Sequence, residues 1–182
     1  MLNHEQIRQF VISEDAQQLE GTSWMQNFDN NQMTPEEFDT ADLRVLVAFL
    51  SPGPTRAVSS TYMQLEQLVR KTNEEDNVNI FVDCCYYPAK GDLKFFEQYN
   101  LPLWFGNVSK HPACDYDVVM ISNSVLLEFM NIYHGLPKSG IPLEHRDRVN
   151  SKEEHPFIMM GGIPVADHDA LNGEGSAVDI IY

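Results

Sequence analysis

Five short stretches of this chain are apolar almost from end to end, and the segments between them carry apolar residues at helical spacing. The stretches are "LRVLVAFL", "VNIFVDCC", "DYDVVMISNS", "PFIMMGG" and "SAVDIIY". A strand with one wet face alternates apolar and polar residues, whereas a strand without alternation is covered on both faces, as in a parallel sheet. Between them, "SSTYMQLEQLVRKT" places Tyr62, Leu65, Leu68 and Val69 on a helical stripe. "DLKFFEQY" has the length of a short helix, and "SVLLEFMNIYHGL" that of a longer one ending near Gly135. Strands that alternate with helices join in parallel through right-handed crossovers. The expected architecture is therefore α/β: a doubly wound, mostly parallel five-stranded sheet.

That pattern begins at Leu43. Residues 1–42 read as an N-terminal extension, partly helical, and residues 43–182 as the α/β domain. Ile7, Phe10, Val11 and Ile12 supply an apolar stripe for a first short helix. In "MTPEEFD", Thr34 is placed to cap a second, with Pro35 at its first position and Glu36 and Glu37 near its N-terminus.

The net charge is −15, from 27 acidic and 12 basic residues. Such a surface is repelled by nucleic-acid phosphates and by anionic membranes, which disfavours both as direct partners. The N-terminus lacks the basic start and apolar run of a signal peptide, and no apolar stretch is long enough to span a bilayer. Of three cysteines, Cys84 and Cys85 are adjacent and point to opposite faces of a strand, so a disulfide framework is not expected and a cytoplasmic location fits better.

In a sheet of this kind ligands bind where the strands end at their carboxyl sides, near the reversal of strand order. The residues there are Ser51, Gly53 and Thr55 after the first strand, Asp83, Cys84 and Cys85 after the second, Ser122 and Ser124 after the third, and Gly161 and Gly162 after the fourth. This edge is small, polar and nearly uncharged, suited to hydrogen bonding a bulky neutral or zwitterionic ligand. The loop "SPGPTRAVSS" has one glycine and two prolines, so it is neither a dinucleotide fingerprint nor a phosphate-cradling loop. The Gly-Gly pair has two readings. It is a turn, with Pro164 following, or a bare backbone against which something flat and large lies.

Other candidates carry less. His111 and Cys114 are two potential ligands where zinc needs three or four, and "ADHDALNGEG" lacks the spacing of a calcium loop. No metal site and no catalytic residue is assigned. Cys84 and Cys85 lack an inferable base, so a place in the core outweighs a nucleophilic role. Tyr86, Tyr87 and Lys90 lie near the same edge and could stack on a planar ligand. Trp104 and Phe105 fall in a connection, where they mark an exposed partner surface or pack beneath the sheet edge.

The segment "DYDVVMISNSVLLEF", followed by "SGIPL", "EHPFIMMGGIPV" and an acidic residue before the fifth strand, resembles the N-terminal cobalamin-binding-like domain of radical S-adenosylmethionine (SAM) proteins. The order of elements agrees from about Arg44 to Tyr182, and the motifs from about Asp115 to Ile163. The resemblance implies a flavodoxin-like sheet on which Ser122, Ser124, Gly161 and Gly162 meet the tail of a corrin and the loop 51–60 shapes a wall. The Asp-x-His-x-x-Gly motif that supplies a histidine to cobalt occurs nowhere here, so any cobalamin would be held without histidine ligation. The Cys-x-x-x-Cys-x-x-Cys motif of the catalytic barrel does not occur either. The iron–sulfur cluster and SAM would therefore belong to a barrel in cis or in trans, and the resemblance implies the front part of a larger enzyme, a naturally split subunit or a stand-alone relic. Expected function: a cobalamin-binding-like accessory domain or fragment of a radical SAM enzyme. The alternative is a non-catalytic acidic protein-binding module; a cysteine enzyme ranks last.

Overall fold

The computed structural model describes residues 1–20, 33–52, 60–123, 125–162 and 175–182. Its centre is an all-parallel sheet of β1 (Leu43–Pro52), β2 (Ile80–Tyr87), β3 (Val118–Ser122), β4 (Phe157–Gly161) and β5 (Ile180–Ile181), in the order β2-β1-β3-β4-β5. All five predicted runs contain a strand. Val45, Val47, Val82, Cys84, Val119, Ile121, Ile158 and Met160 are buried, which is why these runs show no polar alternation.

Among the described residues, six α-helices accompany the sheet: α1 (His4–Val11), α2 (Pro35–Thr40), α3 (Ser60–Asp76), α4 (Leu93–Gln98), α5 (Ile132–Lys138) and α6 (His145–Val149). From β1 the chain moves outward through α3 to β2, then returns past β1 to β3 and continues outward through β4 and β5. With right-handed crossovers, α3 covers one face and the later helices the other, so strand order reverses between β1 and β3. No described helix is long and apolar enough to cross a membrane.

Three local expectations change. On α3 the buried face is Tyr62, Glu66 and Val69, while Leu68 is 59% exposed. At about 100° per residue, Leu68 lies well off the line through Tyr62 and Val69. In α1, Ile7, Phe10 and Val11 are buried but Ile12 points to solvent. The helix expected over "SVLLEFMNIYHGL" starts as a 3-10 segment, Leu126–Asn131, becomes α-helical at Ile132 and runs through Gly135. Gly135 is inside the helix because the Trp104 ring lies against it; a Cβ there would stand 2.3 Å from the ring.

Residues 1–20 are packed into the same core. Asn3 and Gln6 cap α1 reciprocally at 3.0 and 3.1 Å. Ile7, Phe10, Val11, Ala16 and Leu19 are buried, and the rings of His4, His111 and Phe38 form a continuous stack with centroids 4.2 and 3.9 Å apart. At α2, the Thr34 N–H donates to the Glu37 carboxylate at 2.5 Å and Pro35 opens the helix, as the sequence implied.

Candidate functional site

Parallel register brings the ends of β1, β3 and β4 side by side. Ser122 is paired with Phe49 on one side and Gly161 on the other. Ser51, Ser122, Gly161 and Gly162 thus share the carboxyl edge at the point of strand reversal. Gly53, Thr55 and Ser124 lie outside the described residues.

The edge is engaged by the chain itself. The Ser51 hydroxyl donates to the Glu128 carboxylate, and Asn131 Nδ2 donates to the Leu50 carbonyl at 2.9 Å. The 3-10 segment after β3 is therefore tied across the end of β1. Gly161 faces the ring of Tyr182, and a Cβ at 161 would be 2.4 Å from it. Gly162 has φ of +127°, and a Cβ there would stand 1.8 Å from the Asn123 carbonyl oxygen. Both glycines are thus required by contacts within the chain, and the flat group against Gly161 is the chain's own tyrosine.

One polar atom at this edge stays unsatisfied. Asn123 is 1% exposed; its backbone N–H donates to the Gly161 carbonyl at 3.0 Å and its Oδ1 accepts from the Val125 N–H at 3.3 Å. Its Nδ2 has no hydrogen-bond partner among the described residues. A buried amide donor without a partner carries a cost that a ligand acceptor would relieve.

Beside the edge, the segment after β3 exposes apolar side chains: Val125 at 47%, Leu127 at 84%, Met130 at 63% and Tyr133 at 37%. Leu127 and Met130 are three residues apart in a 3-10 helix, where such positions eclipse one another and form a ridge.

Two carboxylates act as structural anchors, and Asp83, with Cys84 and Cys85, lies inside β2 rather than at its end because the strand runs on to Tyr87. Asp83 of β2, fully buried, accepts from the N–H groups of Cys84, Val108 and Ser109 at 2.8–3.1 Å and from the Tyr116 hydroxyl at 3.1 Å. Ser109 Oγ and Tyr116 Oη are 2.7 Å apart. Five contacts occupy both carboxylate oxygens, so Asp83 holds the 104–111 connection onto the sheet rather than serving as a base. Gly106 is demanded by this crowding, since a Cβ would meet Tyr116 Oη at 1.9 Å. Burial, and then Asp83, push the Tyr116 hydroxyl well above its ordinary range. The second anchor is Asp179, the acidic residue before β5. It receives Arg148 and His145 at 2.5 Å each and the Ile158 N–H at 2.5 Å, while Arg148 also caps the carbonyls of Pro142 and Leu143. A single carboxylate before an apolar strand is the only trace of this in the sequence.

The remaining candidates fall in the core or in structural pairs. Cys84 and Cys85 are fully buried, and burial first and Asp83 second raise both thiols well above the usual range. Neither has thiolate character. Cys114, half-buried, is raised to about 11 by burial and Asp115. His111 pairs with Asp115 at 2.9 Å. Trp104 and Phe105 are fully buried beneath the sheet edge, which decides between the two readings of that connection. Tyr86 and Tyr87 are also buried, with Tyr86 stacked on Phe49 at 4.9 Å.

Comparison with known families yields a match to the model of radical SAM proteins, N-terminal, over residues 65–174, more than half of the chain. This chain belongs to that family. The matched span starts within α3 and takes in β2, β3 and β4, so it contains the edge formed by Ser122, Asn123, Gly161 and Gly162. No curated protein and no solved structure matches the chain. The radical SAM N-terminal domain is an accessory domain, and in this member its carboxyl edge combines internally engaged glycines, one unpaired amide and an exposed apolar ridge.

Proposed function

We propose that this accessory domain works as a docking unit for a radical SAM catalytic barrel, in cis or in trans, through the carboxyl edge and the ridge beside it. The observation that carries this reading is the row Val125, Leu127, Met130 and Tyr133, exposed next to the strand reversal in a chain with a net charge of −15. Apolar side chains clustered in an otherwise acidic surface gain most from being covered by a partner. The cluster and SAM belong to the barrel in this reading. The test is co-expression with a radical SAM catalytic barrel supplied as a separate chain, followed by size-exclusion chromatography. The two should co-elute, and Leu127→Ser with Met130→Ser should separate them while leaving the circular dichroism spectrum unchanged. Co-elution that survives the double substitution would sink the ridge as the interface.

Asn123 favours a second reading, in which the same edge holds a corrin. Its unpaired Nδ2, with Ser122 and Ser51, suits the amide-bearing rim of such a ligand. The Gly161 side does not suit it while Tyr182 fills the space. Among the described histidines, His4, His111, His145 and His155 are engaged in stacking or hydrogen bonds away from this edge. The cofactor would supply the methyl-transfer or redox chemistry and the chain only its seat. Hydroxocobalamin titration followed by desalting separates the readings. Retention of colour by the native chain, enhanced in Tyr182→Ala and lost in Asn123→Leu, supports a corrin seat. No retention by either native chain or Tyr182→Ala rejects it and leaves docking as the function.

A further inference from the structure

A cleft of about 300 Å³ lies between α4 with its following turn and α5, beside the carboxyl end of β2. Its floor is apolar: Tyr87, Phe96, Leu101 and Leu103 are all at least nine-tenths buried. Its rim is polar. Glu97 comes from α4, and His134 and Lys138, four residues apart on one face of α5, come from the other wall.

The walls are held in place from behind. Trp104 packs against Gly135 of α5, and its backbone N–H donates to Ser139 Oγ at 2.9 Å. Beyond α4, the Leu101 N–H returns to the Phe96 carbonyl at 2.8 Å, and Asn100, with φ of +54°, receives the Leu2 N–H at 3.2 Å. The cleft is therefore formed before any ligand arrives. Its volume is at the lower end of the range for small-molecule sites, and an apolar floor with few polar groups is their usual character.

The charges on the rim are unmatched. Acidic residues outnumber basic ones 27 to 12 in this chain, so a cation finds a carboxylate easily. Arg44, Arg70, Lys71, Arg146 and Arg148 do so, whereas Lys90, Lys94 and Lys152 have no ion pair among the described residues, as Lys138 has none. The side chains of Lys138, His134 and Glu97 form no ion pair or hydrogen bond among the described residues, and all three line one cleft. An ammonium and an imidazole above buried rings offer a carboxylate two donors, with its apolar body on the floor.

From this we infer that the cleft binds a small amphipathic carboxylate with an aromatic or branched apolar body, anchored by Lys138 and His134. Glu97 stands where it can receive an ammonium, so a free amino acid and a plain carboxylic acid share the chemistry. The cleft adjoins the ridge to which barrel docking is assigned, since His134 follows Tyr133 in α5, and Lys138→Met tests the cleft without changing a ridge residue.

The experiment uses L-phenylalanine, 3-phenylpropionate and phenethylamine as probes, titrated into the chain and followed by amide chemical shifts. Both carboxylates should bind, shifting Phe96, Leu101 and His134, and phenethylamine should bind at least about tenfold more weakly. The tighter of the two carboxylates identifies the source, amino acid or plain acid. Lys138→Met should weaken both by about tenfold or more with the rest of the spectrum unchanged. Leu93→Trp, which fills the partly exposed mouth, should block both. Binding of phenethylamine as tight as that of the acids, unchanged affinity in Lys138→Met, or no shifts up to about 10 mM ligand would overturn the assignment.

Discussion

The ring of Tyr182 lies against the backbone of Gly161 with no room for a single methyl group between them. Their contact joins the end of β5 to the end of β4, where Tyr182 N–H also donates to the Met160 carbonyl at 3.0 Å. It decides how the carboxyl edge can be used, because the same space cannot hold both a tyrosine ring and a ligand.

Gly161→Ala should therefore destabilise the fold by roughly 1–3 kcal/mol, the usual cost of overpacking. Tyr182→Ala in the same chain should recover most of that loss. Thermal unfolding of the two single variants and the double variant measures the coupling, and additive effects would show that the contact does not persist in solution. Gly162→Ala should cost more, about 2–4 kcal/mol, and should not be rescued by Tyr182→Ala, because it meets backbone at positive φ.

Asp83→Ala should be among the most damaging single changes. It would leave the N–H groups of Val108 and Ser109 and the Tyr116 hydroxyl without their buried acceptor. Loss of about 3 kcal/mol or more is expected in urea unfolding. Ser109→Ala, which removes one neutral neighbour, should cost about 1 kcal/mol.

Lys110 gives the fold a measurable pH dependence. Burial is the main cause of its pKa falling from 10.5 to about 8, against the opposing pull of Asp83. Because the native pKa lies below the unfolded one, unfolded chains bind the extra proton between about pH 8 and 10.5. Stability from this group thus rises with pH across that window, and the penalty is fully present below it. Lys110→Met should remove a penalty of up to roughly 3 kcal/mol at pH 7, less whatever is lost with the Lys110 bond to the Asn107 carbonyl. The decisive measurement is the stability difference between variant and native chain at pH 7 and pH 10. It should shrink as pH rises; a constant difference would show that Lys110 is not buried as a cation.

Arg148→Met should leave Asp179 buried with only His145 and a backbone N–H, at a cost of about 3–5 kcal/mol. Replacing both members together, Arg148→Met with Asp179→Leu, should recover part of this. Guanidinium unfolding of Arg148→Met, Asp179→Leu and the double variant would show it, and losses that simply add in the double variant would mean the pair is not coupled.

Much of the fold could be read directly from residues. Five unalternating apolar runs required a sheet covered on both faces, and the breakers between them placed crossovers in the right segments. Thr34, Pro35 and Glu37 announced a helix start because a cap is a local arrangement, and Asn3 with Gln6 could have announced another. Less local features were harder. Leu68 was assigned to the wrong face of α3 by counting apolar residues rather than angles, since Glu66 shares the buried stripe.

Sequence alone determined the order of strands and helices and the acidic composition, because these depend on neighbours along the chain. Only the tertiary structure decided what those residues touch. The glycine pair by itself reads more readily as a turn than as a seat for a flat ligand, and it took Tyr182 and Asn123, brought in through other strands, to show what crowds it. Asp83 looked like any polar residue in an apolar strand until the 104–111 connection folded its N–H groups onto it. Contacts between distant segments arise from packing in three dimensions, and nothing in the spacing of residues along one strand records which segment will arrive beside it.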